Sequence, residues 1–419
     1  MLLSTAVVTG QEEPAQEEPA QSLRIGLILP GPDAAEGTAG TLSNAVAESA
    51  LMGATFAEEE FGFNAELLGL RLELLTVRAD GADGAREAAE QLLAEEEVFA
   101  LVGGFGAGSA LALAELAEQR EIPFLNIGSS GDRLRNEECG RYSFHVEPSA
   151  AMYLDALVGW FIRAGFRSWF FVIEDTPDGE ALYERVRWSM RERHFGARET
   201  GRAIVASDEG FDGAIEAVRR NRADVVLLLL GPDRQLAFLE QAEAGGVEAQ
   251  VTGFPHPAAQ TREFFAASME AAPVVGAGYR ATSWEATLDA YGARELNARF
   301  AARWDTTMEP PAWSAYQAIK VLFETVSLGG AGTGPEVVEF LENPQSVFDI
   351  WKGIGVTFRS WDHQLRQSLY LVDLMPEAES RRELVTLVGE LPAIYLPRTD
   401  PVERLDQLGD LRRESECDF

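Results

Sequence analysis

Two residue types are nearly missing from this 419-residue chain. Cysteine occurs only as Cys139 and Cys417, and lysine only as Lys320 and Lys352, so that almost every cation is an arginine. Two cysteines this far apart share no metal-ligand spacing and form no C-x-x-C redox motif. Whether they stay free thiols or close one bridge, as an oxidising compartment permits, is open at this level. Beyond the opening stretch there is no run of about 18 apolar residues, which excludes a membrane-spanning helix in the body of the chain. Positive charge is also scarce: 68 acidic residues stand against 35 basic ones, a formal net charge of -33. Nucleic acid is excluded as a partner, because a polyanion needs clustered Arg and Lys to displace its counterions. The acidic excess reads as solvation of the surface, and the preference for arginine as the mark of a GC-rich genome.

Enzyme signatures are missing too. The chain has no G-x-S-x-G elbow, no Walker phosphate loop and no H-E-x-x-H. Its four histidines, His145, His194, His256 and His363, are scattered, and only His256 follows a strand closely enough to face a crevice. The runs Glu58-Glu59-Glu60 and Glu95-Glu96-Glu97 fall at helix ends, where they form solvated faces and not the turning loop that a hard cation needs. The eight tryptophans are candidates for core or interface. No catalytic residue, no metal ligand and no cofactor is expected.

What is present is a rhythm. After an apolar start at residues 1–10 comes Gln-Glu-Glu-Pro-Ala twice over, which reads as the remnant of an export signal and an acidic spacer ending near residue 22. From Leu23, short apolar runs alternate with amphipathic stretches. Strands are expected over 23–29, 70–77, 98–103 and 122–127, with helices over 43–60, 84–96 and 109–119 between them. The extended segment 142–149 ends in Pro148-Ser149, a helix start, and the rhythm begins again. Helices over 150–164, 179–194 and 211–220 then alternate with strands over 168–173, 203–206 and 224–230. Repeated strand-helix units imply doubly wound, mainly parallel sheets, and Val225 to Leu230, apolar on both faces, suits a central parallel strand. Further on, a helix over 258–269, a strand over 273–279, helices over 285–304 and 312–328, and strands over 355–359 and 368–374 read as material returned to two existing units. Residues 376–419 read as an extended surface tail.

Two loops stand out. Gly103-Gly104-Phe105-Gly106-Ala107-Gly108-Ser109 joins a strand to a helix, and its backbone N-H groups and helix N-terminus suit a carboxylate or phosphate. It fails as a dinucleotide fingerprint, since Ser109 or Leu111 falls where the third glycine belongs. Asn126-Ile127-Gly128-Ser129-Ser130-Gly131-Asp132 follows the next strand, so the two loops would flank one crevice at the strand ends. Ser129 and Ser130 have no neighbouring base, which suits holding a ligand and not attacking it.

The order of these features is similar to the type I periplasmic solute-binding proteins of ABC transporters, the branched-chain amino acid-binding superfamily. The resemblance spans residues 23–375 and rests on Pro30-Gly31-Pro32 after the first strand, Val102-Gly103-Gly104, Ile122-Pro123-Phe124-Leu125-Asn126, and the crossover at Pro148-Ser149. Within it, residues 139–149, Phe358-Arg359-Ser360-Trp361-Asp362-His363-Gln364-Leu365-Arg366-Gln367 and Leu405-Asp406-Gln407-Leu408-Gly409 resemble the branch associated with pyrroloquinoline quinone (PQQ)-dependent alcohol dehydrogenase systems. The resemblance implies an α/β, two-lobed Venus flytrap fold, each lobe a doubly wound mainly parallel sheet. It also implies a periplasmic monomer that captures a small carboxylate-bearing or alcohol-oxidation-related ligand and delivers it to an ABC permease, beside a PQQ-dependent dehydrogenase.

By the same resemblance the first lobe would hold ligand with Phe105, Gly106, Ala107, Gly128, Ser129 and Ser130. The second lobe departs from the amino acid-binding pattern. Asp178 stands where an aromatic is usual, Phe254-Pro255-His256 stands where an acidic residue would pair with an ammonium group, and Gly231 lies in a segment without the expected tyrosine. The expected division is residues 1–22 as leader and linker, 23–147 with 275–345 as one lobe, 148–274 with 346–375 as the other, and 376–419 as tail. Hinges are expected near 145–148, 274–279 and 346–361. The alternatives are a sensor or adaptor of the same fold, and an enzyme using Asp178 or His256 as acid or base.

Overall fold

A computed structural model describes residues 21–31, 37–392 and 398–419. The expected signal remnant and most of the spacer lie outside the described residues, as does Pro32.

The first half builds β1 (Gln21–Pro30), α1 (Thr38–Leu67), β2 (Leu70–Ala79), α2 (Gly81–Glu95), β3 (Ala100–Gly103), α3 (Ala107–Arg120), β4 (Phe124–Asn126) and β5 (Ser143–His145). These strands form one parallel sheet in the order β2-β1-β3-β4-β5. The second unit follows with α4 (Ala150–Arg163), β6 (Ser168–Glu174), α5 (Pro177–Glu192), β7 (Arg198–Val205), α6 (Asp212–Asn221), β8 (Val225–Leu229), α7 (Pro232–Ala244), β9 (Gln250–Gly253) and α8 (Arg262–Ala271). Its sheet is again parallel, in the order β7-β6-β8-β9. All five residues of β8 are buried, because helices cover both faces of the sheet. The apolar run that marked this strand in the sequence is therefore a consequence of its place in the fold.

The remaining elements are β10 (Gly278–Thr282), α9 (Ala293–Trp304), α10 (Pro310–Ser327), α11 (Gly334–Glu342), β11 (Leu369–Leu374), β12 (Val385–Leu391) and α12 (Pro401–Leu405). α10 returns to the first lobe and lies along the 30-residue α1. Gly53 makes this possible, since a Cβ there would sit 2.0 Å from the Ala312 carbonyl oxygen. Beyond that contact Phe56 meets Tyr316 and Phe61 meets Phe323, with ring centroids 5.6 and 5.5 Å apart. Buried rings of this kind contribute roughly 1.5–3 kcal/mol each, enough to hold a long helix without good end caps.

Several expected elements shift. The strand expected at 273–279 forms at Gly278–Thr282, where it pairs antiparallel with β11. The helix expected from 285 starts at Ala293, after a turn with positive φ at Tyr291 and Gly292. The strand expected at 355–359 is reduced to a single bridge between Phe358 and Leu365. Glycines at 353 and 355, both with positive φ, bend the chain away from an extended path. The tail is not a merely extended surface segment: β12 pairs with β11, and Leu391, Leu405 and Leu408 are buried.

The apolar residues divide into a core around the first sheet and two layers on either face of the second. Residues 346–368, grouped above with the second lobe, send Phe348, Ile350, Val356, Phe358 and Leu365 into the first core. β10, grouped above with the first, sends Ala281 into the second. The chain thus crosses between cores near 146–149, 282–284 and 366–369, and once more between Leu391 and Leu405. Irregular segments carry no periodicity, so their apolar residues do not announce which core they join. Among the described residues no helix is long and apolar enough to cross a membrane.

Candidate functional site

The carboxyl ends of both sheets face the gap between the lobes, where loops and helix N-termini gather. Two adjoining cavities of about 330 and 260 Å³ lie there and share Gly106, Gly128, His256 and Pro257 in their walls. Of the ten residues expected at the site, nine line these cavities: Phe105, Gly106, Ala107, Gly128, Ser129, Ser130, Asp178, Phe254 and His256. Gly231 does not; its N-H donates to the Glu174 carboxylate at 3.0 Å, and the residues after it, Pro232 and Asp233, reach the wall instead.

The first-lobe wall brings the N-terminus of α3 and the Ser130 hydroxyl to the cavities, beside the carboxyl groups of Asp80, Asp132 and Glu137. Gly106, at φ 92°, ends the loop after β3 in a conformation that glycine adopts freely and so starts α3. α3 carries no acidic residue in its first turn and no side-chain cap, whereas α2 has Asp83, α5 has Asp178 and Glu180, and α7 has Asp233. Among these four helices, α3 alone leaves its N-terminal field uncompensated by chain carboxylates. The second loop is shaped by Asn126. Its side-chain oxygen accepts from Gly128 N-H at 3.2 Å and Ser129 N-H at 2.9 Å, and its amide donates to the Ser129 carbonyl at 2.7 Å. Gly128 then presses against Phe105, with room for no Cβ, which would lie 2.4 Å from the ring. Ser130 is left half-buried at the cavity wall.

The second-lobe wall is made of acceptors. Asp178 and Asp233 stand exposed in the first turns of α5 and α7. His256 Nε2 is 3.2 Å from the Leu230 carbonyl, so Nε2 carries the proton and Nδ1 is the ring's acceptor. Burial pushes its pKa down to about 4, and the imidazole is neutral near pH 7. Phe254 fixes the ring by an edge-to-face contact at 4.7 Å. The guanidinium on these walls, Arg133, is exposed and paired with Glu138. A ligand that presents an anion to the first lobe and a hydrogen-bond donor to the second would meet complementary groups on both sides.

Four residues that shape the site were not expected from the sequence: Leu42, Val46, Asp132 and Asn126. Leu42 and Val46 of α1 form an apolar side of the larger cavity. Asp132 lines the smaller one, and its carboxyl accepts from Ala151 N-H at 3.1 Å. Burial, and then the neighbouring Asp410, raise its pKa to about 7. Nothing local marks Asp132, because its partner is 278 residues away. Asn126 had a signal, an Asx residue at a strand end before Gly-Ser-Ser, which is turn chemistry. Among the described residues no group of three or more His, Cys, Asp or Glu is placed to hold a metal ion.

Comparison with known proteins places this geometry in context. The family profile described as periplasmic binding protein matches residues 24–378. Among solved structures, the chain is similar to an amino acid ABC transporter substrate-binding protein from Pseudomonas fluorescens Pf-5, with TM-score 0.75 and 19% identity over 89% of this chain and 96% of that one. It is similar to an ABC transporter solute-binding protein from R. palustris in complex with benzoate, with TM-score 0.70 and 17% identity over 95% and 100% of the two chains. A third, from Rhodopseudomonas palustris BisB5 in complex with 3,4-dihydroxybenzoic acid, gives TM-score 0.67 and 16% identity over 90% and 99%. At such identities the likeness is one of fold. No curated protein matches the chain in sequence.

Proposed function

This chain belongs to the periplasmic binding protein family, and from that premise we propose that it is the solute-binding component of an ABC transporter, holding a small carboxylate between its lobes. The observation that carries the reading is the convergence of nine expected positions on two joined cavities, where the N-terminus of α3 has no carboxylate in its own first turn. The carboxylate lies at the N-terminus of α3 and against Ser130. A hydroxyl or ammonium donor faces Asp178, Asp233 and the His256 Nδ1 lone pair, and an apolar arm lies along Leu42 and Val46. The cavities together fall in the usual range of small-molecule sites, roughly 300–1,000 Å³. Ligand contacts to both lobes favour the closed form by their differential affinity, and the permease reads that form.

The fold's family is periplasmic, and the bond that joins Cys139 to Cys417 suits an oxidising compartment. We propose further that the chain serves solute uptake beside a PQQ-dependent alcohol dehydrogenase system, with an alcohol-oxidation product such as a hydroxy acid as its cargo. The support is the sequence resemblance, whose segments 358–367 and 405–409 meet directly through Arg359, Arg366 and Asp406. The test is native mass spectrometry of gently purified protein before and after denaturing dialysis, with the released molecule identified, and thermal shifts against benzoate, 4-hydroxybenzoate, aliphatic hydroxy acids and isoleucine. A stoichiometric carboxylate and stabilisation by one class is the expected result. An empty protein, unshifted by the whole panel, overturns the reading in favour of a sensor or adaptor.

A further inference from the structure

The last fifteen residues do something that the ligand site does not require. Leu405 sits in the first core and Leu408, three residues on, in the second. Between them Asp406 accepts from Arg359 at 3.0 Å and from Arg366 at 2.9 Å, two guanidiniums on the segment that leads into the third crossover. The segment then runs over the second lobe. Gly409 N-H donates to Asp155 at 3.1 Å, and Arg185 joins Asp155 at 2.9 Å to Asp410 at 3.4 Å. Arg193 joins Asp155 at 2.7 Å to Glu414 at 2.6 Å. Asp155 is itself buried, so these contacts are made in a dry place where they are geometrically demanding. The chain afterwards returns to the first lobe, where Cys417 is bonded to Cys139, and the Phe419 ring stacks on His363 at 4.2 Å. Both ends of the segment are thus fixed on one lobe and its middle on the other.

We propose that residues 405–419 are a strap that limits rotation of the second lobe against the first and keeps the ligand-free cleft close to its ligand-binding geometry. The crossovers near 146–149, 282–284 and 366–369 are single segments that a hinge motion twists. The strap adds two more crossings, held by charge pairs and by one covalent bond that cannot open with the lobes. It also sets the wall of the site. Asn136, which lines the smaller cavity, donates to Asp410 at 3.4 Å, and Cys139 lies three residues further along the same loop. On the opposite side Arg185 ties Asp410 to α5, the helix whose first turn carries Asp178. A cleft held near its binding geometry loses less of its affinity to unproductive conformers.

The experiment uses the full chain without ligand, so its outcome does not depend on the solute reading. Dyes are attached through unnatural residues at Glu87 on α2 and Glu216 on α6, both exposed, and the distribution of lobe separations is recorded by single-molecule energy transfer. The oxidised wild type is expected to give one narrow distribution. Reduction, verified by thiol titration, or Cys417→Ser is expected to give a longer and broader one, with the melting temperature lower by about 3–6 °C. If Cys417→Ser fails to fold by circular dichroism, Asp406→Ala is measured with the bond intact and is expected to broaden the distribution less. A distribution unchanged by verified reduction, or by Asp406→Ala, overturns the strap. Where a solute is known, reduction is expected to weaken its binding about 3–10-fold. A chain whose lobes loosen on reduction but which binds no solute leaves the strap standing and removes the transport reading.

Discussion

The two sides of the lobe interface are built from opposite materials. On the cleft side the lobes touch through apolar contact, Leu42 of α1 sharing one cluster with Leu236, Ala259, Phe264 and Phe265, and polar groups face a cavity. On the side of the crossovers and the tail, polar groups meet each other. Arg135 donates to Gln364 at 2.6 Å and to the Glu147 carbonyl at 2.7 Å, and Gln367 donates to the Val146 carbonyl at 2.6 Å. Lys352 reaches Gln367 at 2.5 Å and lies 3.6 Å over the Trp313 ring. The difference is one of who supplies the bonds. A buried polar network completed within the chain specifies one arrangement of the lobes, whereas the α3 N-terminus and the Ser130 hydroxyl at the cavity wait for a molecule that completes them.

The comparison breaks most visibly at Asp155, which gathers Arg185, Arg193, Ser189 and Gly409. Asp155→Ala leaves two largely covered guanidiniums without their shared anion, though each keeps a second carboxylate, and urea titration should show a loss of about 2–4 kcal/mol. A loss below about 1 kcal/mol would mean that this side is not held as described. Glu147 is next. Burial raises its pKa to about 8, against 4.5 for the free group, although Tyr153 OH at 2.9 Å pulls the other way. A raised acid pKa contributes stability that is complete below about 4.5 and is lost as pH rises through 8, on the order of 3 kcal/mol at pH 7. Unfolding free energies of wild type and Glu147→Gln at pH 5 and 8 should show the decline in wild type and much less of it in the variant. Parallel declines would remove Glu147 from the account.

The cleft side responds in affinity and not in stability. Ser130→Asp places a carboxylate where the ligand's own belongs, and calorimetric titration should show about 100-fold weaker binding with the melting temperature of the free protein nearly unchanged. Equal binding would move the anion elsewhere. His256→Phe keeps the ring packed on Phe254 and removes the acceptor, and should cost about tenfold for a ligand with a donor at that end and nothing for one without it. The same loss for both ligands would mean that His256 serves only to pack.

The same division explains what could be read in the sequence. Val225 to Leu229, the glycines from Gly103 to Gly106 and the turn from Asn126 to Ser130 are local patterns, and each lies where the pattern put it. They are enough for the fold and for most of the cleft wall. The crossover side depends on pairs such as Asp155 with Gly409 and Cys139 with Cys417, whose members are far apart in the chain. A charge-rich segment like 405–419 has no period, so nothing in it reveals that its arginine partners are buried. Lys352 reads as an ordinary cation until Trp313 and Gln367 are seen around it.

The central claim is that a carboxylate is held at the N-terminus of α3 and beside Ser130. The most direct measurement is calorimetric titration of the wild type with the solute recovered from it and, in parallel, with that solute's methyl ester. The ester, having lost the charge but little of the shape, is expected to bind at least about 100-fold more weakly. An ester that binds as tightly as the acid would contradict it.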